Sequence, residues 1–523
     1  MLAVVGAAYL AVVQAGFAWD DNGILVANDA LANPSFEKIF LKDLWCCVRG
    51  HEGLSPYYRP LTTLSFLIDY KMGLIPGLAH LHSLLWHGLV VTLVYVLLEA
   101  RLGAERAAAG ALIFGLHPIQ SEAVVWIAAR NDLMGTAGVI GTLILLERRS
   151  NWAALPLAAS CLCKESSYTF PAILLCWRLA FPGERSFGKE LLVVAPGLAL
   201  AFGLRSFAEL GPVPSEYRDL GPITEWLPRW GGTVLGWLVL PWPLTTTASL
   251  YRPLPGPFVL VSALAAVLII ATIVWKNGKR GWALLALGAV AYAPAVGAVI
   301  SFSLIGERYL YQPMFALAAL FAAALPERPG RGVWALIGGW ALYALVILHL
   351  RLPDWATAET LMRAAAERAP DSYSFQLLGG QLHIQGEEDE ALDLYDRSFD
   401  FQPPRLFACK NITELAVKKW TLAHLEARLP RLVEAGCRSS NGFDPPVVVA
   451  FASQRRWADA EKWLRSAVTV DKERRDRVVK GAIATVDGDL LLAGSEALIW
   501  PAGTAAYREQ VHAFTHNIAA PAP

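Results

Sequence analysis

Five short stretches place ionisable side chains at the ends of long apolar runs. They are Asp20-Asp21 in FAWDDNG, Arg59 in YYRPLT, and His117, Glu122, Arg130 and Asp132 in HPIQSEAVVWIAARND. The last two are Lys164-Glu165 in CKESS and Glu307, Arg308 and Tyr309 in GERYLYQP. A charged group at the centre of a bilayer costs roughly 2.5–3.5 kcal/mol on insertion scales, so each stretch needs a reason. Carboxylates can take a proton from an attacking hydroxyl. Arginine and lysine can hold a phosphate. The plainer alternatives are polar helix ends for Asp20-Asp21, a headgroup anchor for Arg59, and local ion pairs for Lys164-Glu165 and Glu307-Arg308. His80, His82 and His87 also cluster by eye, but no carboxylate adjoins them, and hydrogen bonding within packed helices is the expected use.

The elements that must position these groups are membrane helices. The 523 residues are 55% hydrophobic and only 17% charged, with mean hydropathy +0.40, against about 25% charged residues in soluble domains. The net charge of zero gives no electrostatic basis for nucleic-acid binding. With about 20 apolar residues per crossing, eleven spans are expected. They are Met1–Ala18, Leu78–Leu98, Ala107–Val125, Leu133–Leu146, Trp152–Cys163, Tyr168–Ala180, Leu191–Phe207, Phe258–Trp275, Trp282–Phe302, Tyr309–Leu325 and Val333–Leu350. The fifth and sixth meet at a polar kink, Lys164-Glu165-Ser166. Pro241 and Pro243 break the stretch Trp230–Leu250, which reads as re-entrant.

Short loops with Arg101 and Arg106, Arg148 and Arg149, Arg185 and Lys189, Lys276, Lys279 and Arg280, and Arg328 and Arg331 are expected on the cytoplasmic side. All five ionisable stretches then fall on the outer face. The first outer loop is long, and its segment SFEKIFLKDLWCCV has the spacing of a helix lying on the membrane. The uncharged start of the chain points to a retained first span rather than a cleaved signal, and the true start codon could lie upstream.

After Arg351 the apolar runs stop. The chain divides on this reading into a multispan domain, 1–351, and an α-helical domain, 352–523. Asp371–Pro404 carries Phe375, Leu378-Gly379, Ala391, Tyr395 and Pro403 at the offsets of a tetratricopeptide hairpin. Ala358, Ala365 and Pro370 repeat its second half, and Ala460, Leu464 and Ala467 give a third partial match. Ile483–Pro523 fits no pattern. Of seven cysteines, Cys161, Cys163 and Cys176 lie in apolar runs. Cys46 and Cys47 are adjacent, a poor geometry for pairing. Cys409 and Cys437 can pair if their domain faces an oxidising compartment.

WDD after the first span, YRPLTTLSF, HPIQSEAVVWIAARND, KES and ERYLYQP, in that order and followed by the repeats, resemble the transmembrane and tetratricopeptide-repeat O-mannosyltransferases. The resemblance covers about residues 17–410. It implies an all-α, polytopic bundle of the GT-C type followed by a short repeat domain. It also implies a glycosyltransferase that moves a sugar from a polyprenyl-phosphate donor to a hydroxyl of a protein or glycan on the outer face, with inversion. By the same resemblance, Asp20 or Asp21 is the general base and Glu122 is a second catalytic acid that orients the acceptor or a metal. Arg59, Arg130, Lys164, Arg308 and Tyr309 receive the lipid phosphate, with His117, Asp132, Glu165 and Glu307 in support. A divalent metal stays open as a cofactor. The richness in Ala, Leu and Arg points to a bacterial inner membrane and an undecaprenyl- or decaprenyl-phosphate lipid, with the repeats outside the cytoplasm and docking an acceptor. In a eukaryote the same topology would place the repeats in the ER lumen. The other readings of the same sequence are a glycan polymerase or ligase using a lipid-diphosphate donor, and a non-enzymatic scaffold whose repeats bind partners.

Overall fold

The computed structural model describes residues 1–49, 55–212, 223–250 and 256–401, and a discontinuous set between 409 and 463. The third partial repeat, with Ala460, Leu464 and Ala467, lies outside the described residues, as do Pro403 and Ile483–Pro523. The chain divides into two compact units, Met1–Ala364 and Ala365–Pro523.

The first unit is almost wholly helical. Its helices are α1 (Leu2–Tyr9), two short ones in the first long loop, α2 (Asp29–Ala32) and α3 (Phe36–Phe40), then α4 (Pro60–Lys71), α5 (Pro76–Leu102) and α6 (Ala104–Leu116). There follow α7 (Ser121–Val125), α8 (Arg130–Glu147), α9 (Ala154–Cys163), α10 (Phe170–Ala180), α11 (Phe187–Ser206) and α12 (Ile223–Val239). The helices α13 (Gly256–Phe302), α14 (Pro313–Ala324) and α15 (Arg331–Arg351) complete the unit. A two-residue ribbon, β1 (Ala248–Ser249) against β2 (Leu304–Ile305), is antiparallel, with Ala248 opposite Ile305.

Among the described residues four helical stretches are long and apolar enough to cross a membrane: Pro76–Leu102, Phe187–Ser206, Leu260–Phe302 and Arg331–Ala356. The protein is thus a multi-pass membrane protein. Apolar side chains such as Leu85, Leu192, Phe202, Leu268 and Leu336 stand exposed on these helices, as lipid-facing positions do. The expected spans Met1–Ala18, Trp152–Cys163 and Tyr309–Leu325 correspond to the shorter apolar helices Leu2–Gln14, Asn151–Cys163 and Pro313–Ala324.

One expected span is bent. Ala107–Val125 is not a single straight helix. It ends at Leu116 and resumes at Pro118 after a 52° bend, because proline has no N–H for the ladder and its ring clashes with the preceding turn. The 47-residue run of α13 is likewise two helices. Gly278 takes φ 53° and ψ −130°, and a methyl at Gly281 would sit 2.5 Å from the Val274 carbonyl. Seven residues of straight helix would separate those positions by about 10 Å, so the chain turns back on itself there.

The membrane-surface helix expected over SFEKIFLKDLWCCV is also shorter than expected, only Phe36–Phe40. Ser35 caps its start. Past Leu41 the polar side chains take partners elsewhere: Lys42 pairs with Glu209 at 2.6 Å, and the Asp43 carboxylate accepts from Trp45 N at 2.8 Å and Ser55 Oγ at 2.5 Å.

α16 (Ala358–Arg368) carries the boundary between the units. In the second unit α17 (Ser372–Gln385) and α18 (Glu388–Ser398) pack as a hairpin. Asp371 and Ser374 form a capping box at the start of α17, and Gly386 ends it with φ 88°. Phe375, Leu378, Ala391 and Tyr395 are buried. Cys409 and Cys437 form a disulfide.

Candidate functional site

The five ionisable stretches share a local feature: each lies at a helix end or on a short helical turn between longer helices. The first sits after the 3-10 turn Leu10–Gln14, where Trp19 adopts a left-handed backbone at φ 51°, a genuine outlier for a bulky residue. Arg59 directly precedes Pro60 of α4, and Glu122 lies on the five-residue α7. Lys164, in extended backbone, separates α9 from a 3-10 turn, Glu165–Thr169. Arg308 lies on the 3-10 turn Glu307–Leu310, directly after β2. The ribbon partner of β2 comes from the loop after Pro241 and Pro243, so those prolines help to fix where Arg308 stands.

The two aspartates part company in the structure. Asp21 is fully buried, and its two oxygens accept from the backbone N–H groups of Ala18 at 3.2 Å and Ala128 at 2.8 Å. It ties the first loop to the turn Ile127–Ala129. Burial pushes its carboxyl up to about 7, against those two bonds, and the Asp20 charge adds to the rise. Asp20 is partly exposed, and its carboxylate makes no hydrogen bond or ion pair among the described residues. Burial pushes it up to about 6, and the Arg308 charge opposes that rise.

Three partly exposed cations share this neighbourhood, each held by one carboxylate. Arg308 pairs with the buried Glu122, which also accepts from the Arg308 backbone N at 3.3 Å. Lys164 pairs with the buried Asp132. Arg59 donates from Nε at 3.1 Å and Nη2 at 2.9 Å to Glu165. The charges of Arg59 and Arg308 both act on Lys164, whose ammonium is pulled below its ordinary value by burial while Asp132 resists.

Aromatic rings fix the Arg308 guanidinium. It lies 4.8 Å from the Trp126 ring, 4.6 Å from Tyr309 and 6.0 Å from Trp19, and Nη2 donates to Tyr309 Oη at 3.1 Å. Trp19 stacks on Trp126 at 4.9 Å and 13°, which braces the left-handed backbone that leads into Asp20. A methyl on Gly306 would sit 2.9 Å from the guanidinium, so a larger residue there would displace it.

The structure gives other expected residues different work. Arg130 is fully buried. It pairs with Asp69 at 2.6 Å and donates to Ser83 Oγ, the Ala79 carbonyl and Ser65. This guanidinium holds α4, α5 and α8 together. His117 contacts the Leu238 carbonyl at 3.3 Å and accepts from Ile119 N. Glu307 accepts from Arg351 at 3.0 Å and Ser121 Oγ at 3.4 Å. His80, His82 and His87 meet the Gly16 carbonyl, Asp69 and Tyr311 Oη respectively. Among the described residues no three His, Cys, Asp or Glu side chains converge as metal ligands would.

Sequence reasoning missed Asp69, Trp19, Trp126 and Tyr57, the last of which lies 4.6 Å under Arg59. Asp69 was findable as the one carboxylate within α4. The tryptophan stack was not, since the partners are 107 residues apart in the chain.

A second cluster lies elsewhere. Arg101, Arg148, Arg149, Arg178 and Arg185 line a cavity of about 390 Å³ with Glu147 and Glu190, so three of the basic loops expected to share one face do meet. Arg178 is held by Glu190 at 2.6 Å and Glu147 at 2.7 Å, an arrangement that holds α8, α10 and α11 together.

The sequence is similar to proteins of known description over about a third of its length. It is 33% identical over 187 residues to protein O-mannosyl-transferase Tmtc2 of Drosophila melanogaster, covering 32% of this chain and 20% of that protein. It is 38% identical over 129 residues to protein O-mannosyl-transferase tmtc2 of Xenopus laevis, covering 24% and 15%. With protein O-mannosyl-transferase TMTC3 of Homo sapiens the identity is 27% over 186 residues, covering 33% and 20%. The chain thus spans about a fifth or less of the length of these relatives. No family model matches the chain, and no solved structure matches it.

Proposed function

We propose that this membrane protein, similar over about a third of its length to protein O-mannosyl-transferases, is a glycosyltransferase of the GT-C kind with Asp20 as its general base. The donor is a sugar on a polyprenyl phosphate, and the acceptor is a hydroxyl of a protein or glycan. The observation that carries this reading is the contrast between the two aspartates. Asp21 is consumed by two backbone N–H groups, whereas Asp20 is partly exposed, its carboxylate has no partner among the described residues, and it lies within the field of Arg308.

In this mechanism the acceptor O–H points at Asp20. As its oxygen attacks the anomeric carbon, the proton passes to Asp20 and the bond from that carbon to the lipid phosphate breaks on the opposite side, which inverts the centre. The phosphate gains negative charge as it departs, and stabilising that charge is the larger electrostatic task. Arg308, Lys164 and Arg59 supply the positive charge, fixed in place before reaction by Glu122, Asp132 and Glu165. A base that titrates near the working pH is well matched to taking a proton in the transition state, and an Asp20 carboxyl pushed up to about 6 meets that requirement.

The Cys409–Cys437 disulfide supports a second unit facing an oxidising compartment. The hairpin of α17 and α18 supports a tetratricopeptide-type surface there for the acceptor. The test is transfer from a radiolabelled polyprenyl-phosphate mannose, with the matching lipid-diphosphate sugar as the second donor. Product from the first donor alone, lost in Asp20→Asn, is expected. Product from the diphosphate alone favours a polymerase or ligase, and transfer that is unchanged in Asp20→Asn removes the base assignment.

A further inference from the structure

Cys46 and Cys47 are sequence neighbours, and the structure brings their sulfurs to 2.6 Å, about half an ångström longer than a disulfide bond of roughly 2.05 Å. Both are partly exposed, whereas Cys161, Cys163 and Cys176 are buried. The turn that juxtaposes them is built by other groups. Trp45 N donates to Asp43 Oδ1 at 2.8 Å, and Val48 N to the Trp45 carbonyl at 3.2 Å. The Cys47 carbonyl accepts from Asp29 N at 2.8 Å, and Arg49 N donates to the Ala27 carbonyl at 2.9 Å. The conformational entropy of bringing two thiols together is therefore already spent by the fold.

We propose that Cys46 and Cys47 form a reversible vicinal disulfide in the first long loop. The oxidant is a disulfide, of either a thiol oxidase or glutathione. One cysteine thiolate attacks it, forming a mixed disulfide and releasing a thiolate. The neighbouring thiolate then attacks the mixed disulfide at the cysteine sulfur, closing the Cys46–Cys47 bond and releasing the second thiol. Two electrons and two protons leave the pair and reduce the oxidant. Reversibility follows from covalent geometry. Adjacent Cα atoms are about 3.8 Å apart across a trans peptide, short of the usual roughly 4.4–6.8 Å span, so the ring is strained and more easily reduced. Cys409 and Cys437, with Cα atoms 5.3 Å apart, carry no such strain. The ring would close beside the segment after Asp20 and Asp21, since the Trp45 ring lies 3.3 Å from where a Gly23 Cβ would stand.

The test uses full-length protein in detergent, equilibrated across ratios of reduced to oxidised glutathione, alkylated with N-ethylmaleimide, digested and weighed. The expected peptide containing both cysteines is unlabelled and two hydrogens lighter in oxidising buffer, and doubly labelled in reducing buffer. Its conversion should come at a more oxidising ratio than that of Cys409–Cys437. In Cys46→Ser, Cys47 should stay labelled or carry glutathione. Two labels at every ratio, a separate glutathione on each sulfur, or loss of two hydrogens persisting in Cys46→Ser would overturn the proposal.

Discussion

Asp20→Asn and Asp21→Asn should fail in different ways, although they alter neighbouring residues by the same few atoms. The Asp20 carboxylate makes no hydrogen bond or ion pair among the described residues, so its amide leaves the fold intact. General-base catalysis contributes about 10²–10⁴-fold, and each tenfold is about 1.36 kcal/mol of barrier. Transfer should fall by about two to four decades, or roughly 2.7–5.4 kcal/mol. Asp21 accepts two backbone N–H bonds in a buried site. An amide has one oxygen, so one of those N–H groups would face an NH₂, and a buried unsatisfied donor costs about 1–3 kcal/mol. Asp21→Asn should therefore lower the unfolding midpoint in detergent while the residual folded protein still transfers sugar.

The pH profile gives an independent check. An Asp20 carboxyl pushed up to about 6 must lose its proton to act as base. Wild-type kcat/KM should rise with pH, reach half its plateau near pH 6 and flatten above it. The rise should vanish in Asp20→Asn. The assay is initial-rate transfer from polyprenyl-phosphate mannose between pH 4.5 and 8.5, with circular dichroism to certify folding. Full transfer in Asp20→Asn, or total loss in a well-folded Asp21→Asn, would refute the assignment.

Three other substitutions test the packing around this site and in the second unit. Glu122→Gln leaves Arg308 without its buried counter-charge. It should cost roughly 3 kcal/mol, at the low end for a broken buried pair because Arg308 is 20% exposed, measured as a drop in the thermal midpoint. Gly379→Ala drives a methyl to 2.9 Å from the Tyr395 ring and 3.2 Å from the Ala391 carbonyl. It should destabilise the hairpin of α17 and α18 by about 1–3 kcal/mol, read as earlier proteolysis within residues 372–398 on raising urea. Cys409→Ser opens a loop of sequence separation 28 and should cost about 3–4 kcal/mol, with a reducing agent reproducing the effect in wild type.

What the sequence determined by itself is the arrangement of apolar and charged segments. Burial in lipid needs long apolar runs, and the rule is strong enough to read the long spans and the composition change after Arg351 directly. Proline chemistry is equally local, so the ends at Pro118 and after Leu240 follow from the residues present, although the size of the bend does not. The motif residues could be found because charges beside membrane helices are costly and therefore rare.

The tertiary structure decided which of those charges are spent. Arg130 and Arg308 look alike in sequence, each a lone cation beside an apolar run. Arg130 is surrounded by Asp69, Ser65, Ser83 and Ala79, whereas Arg308 stays partly exposed beside Asp20. Asp20 and Asp21 are indistinguishable as letters. They are separated because two backbone N–H groups reach Asp21, one from nearby Ala18 and one from Ala128, more than a hundred residues away. Hydrogen-bond partners distant in the chain decide which buried polar group is satisfied within the fold and which stays free for chemistry. A single sequence does not encode that distinction locally.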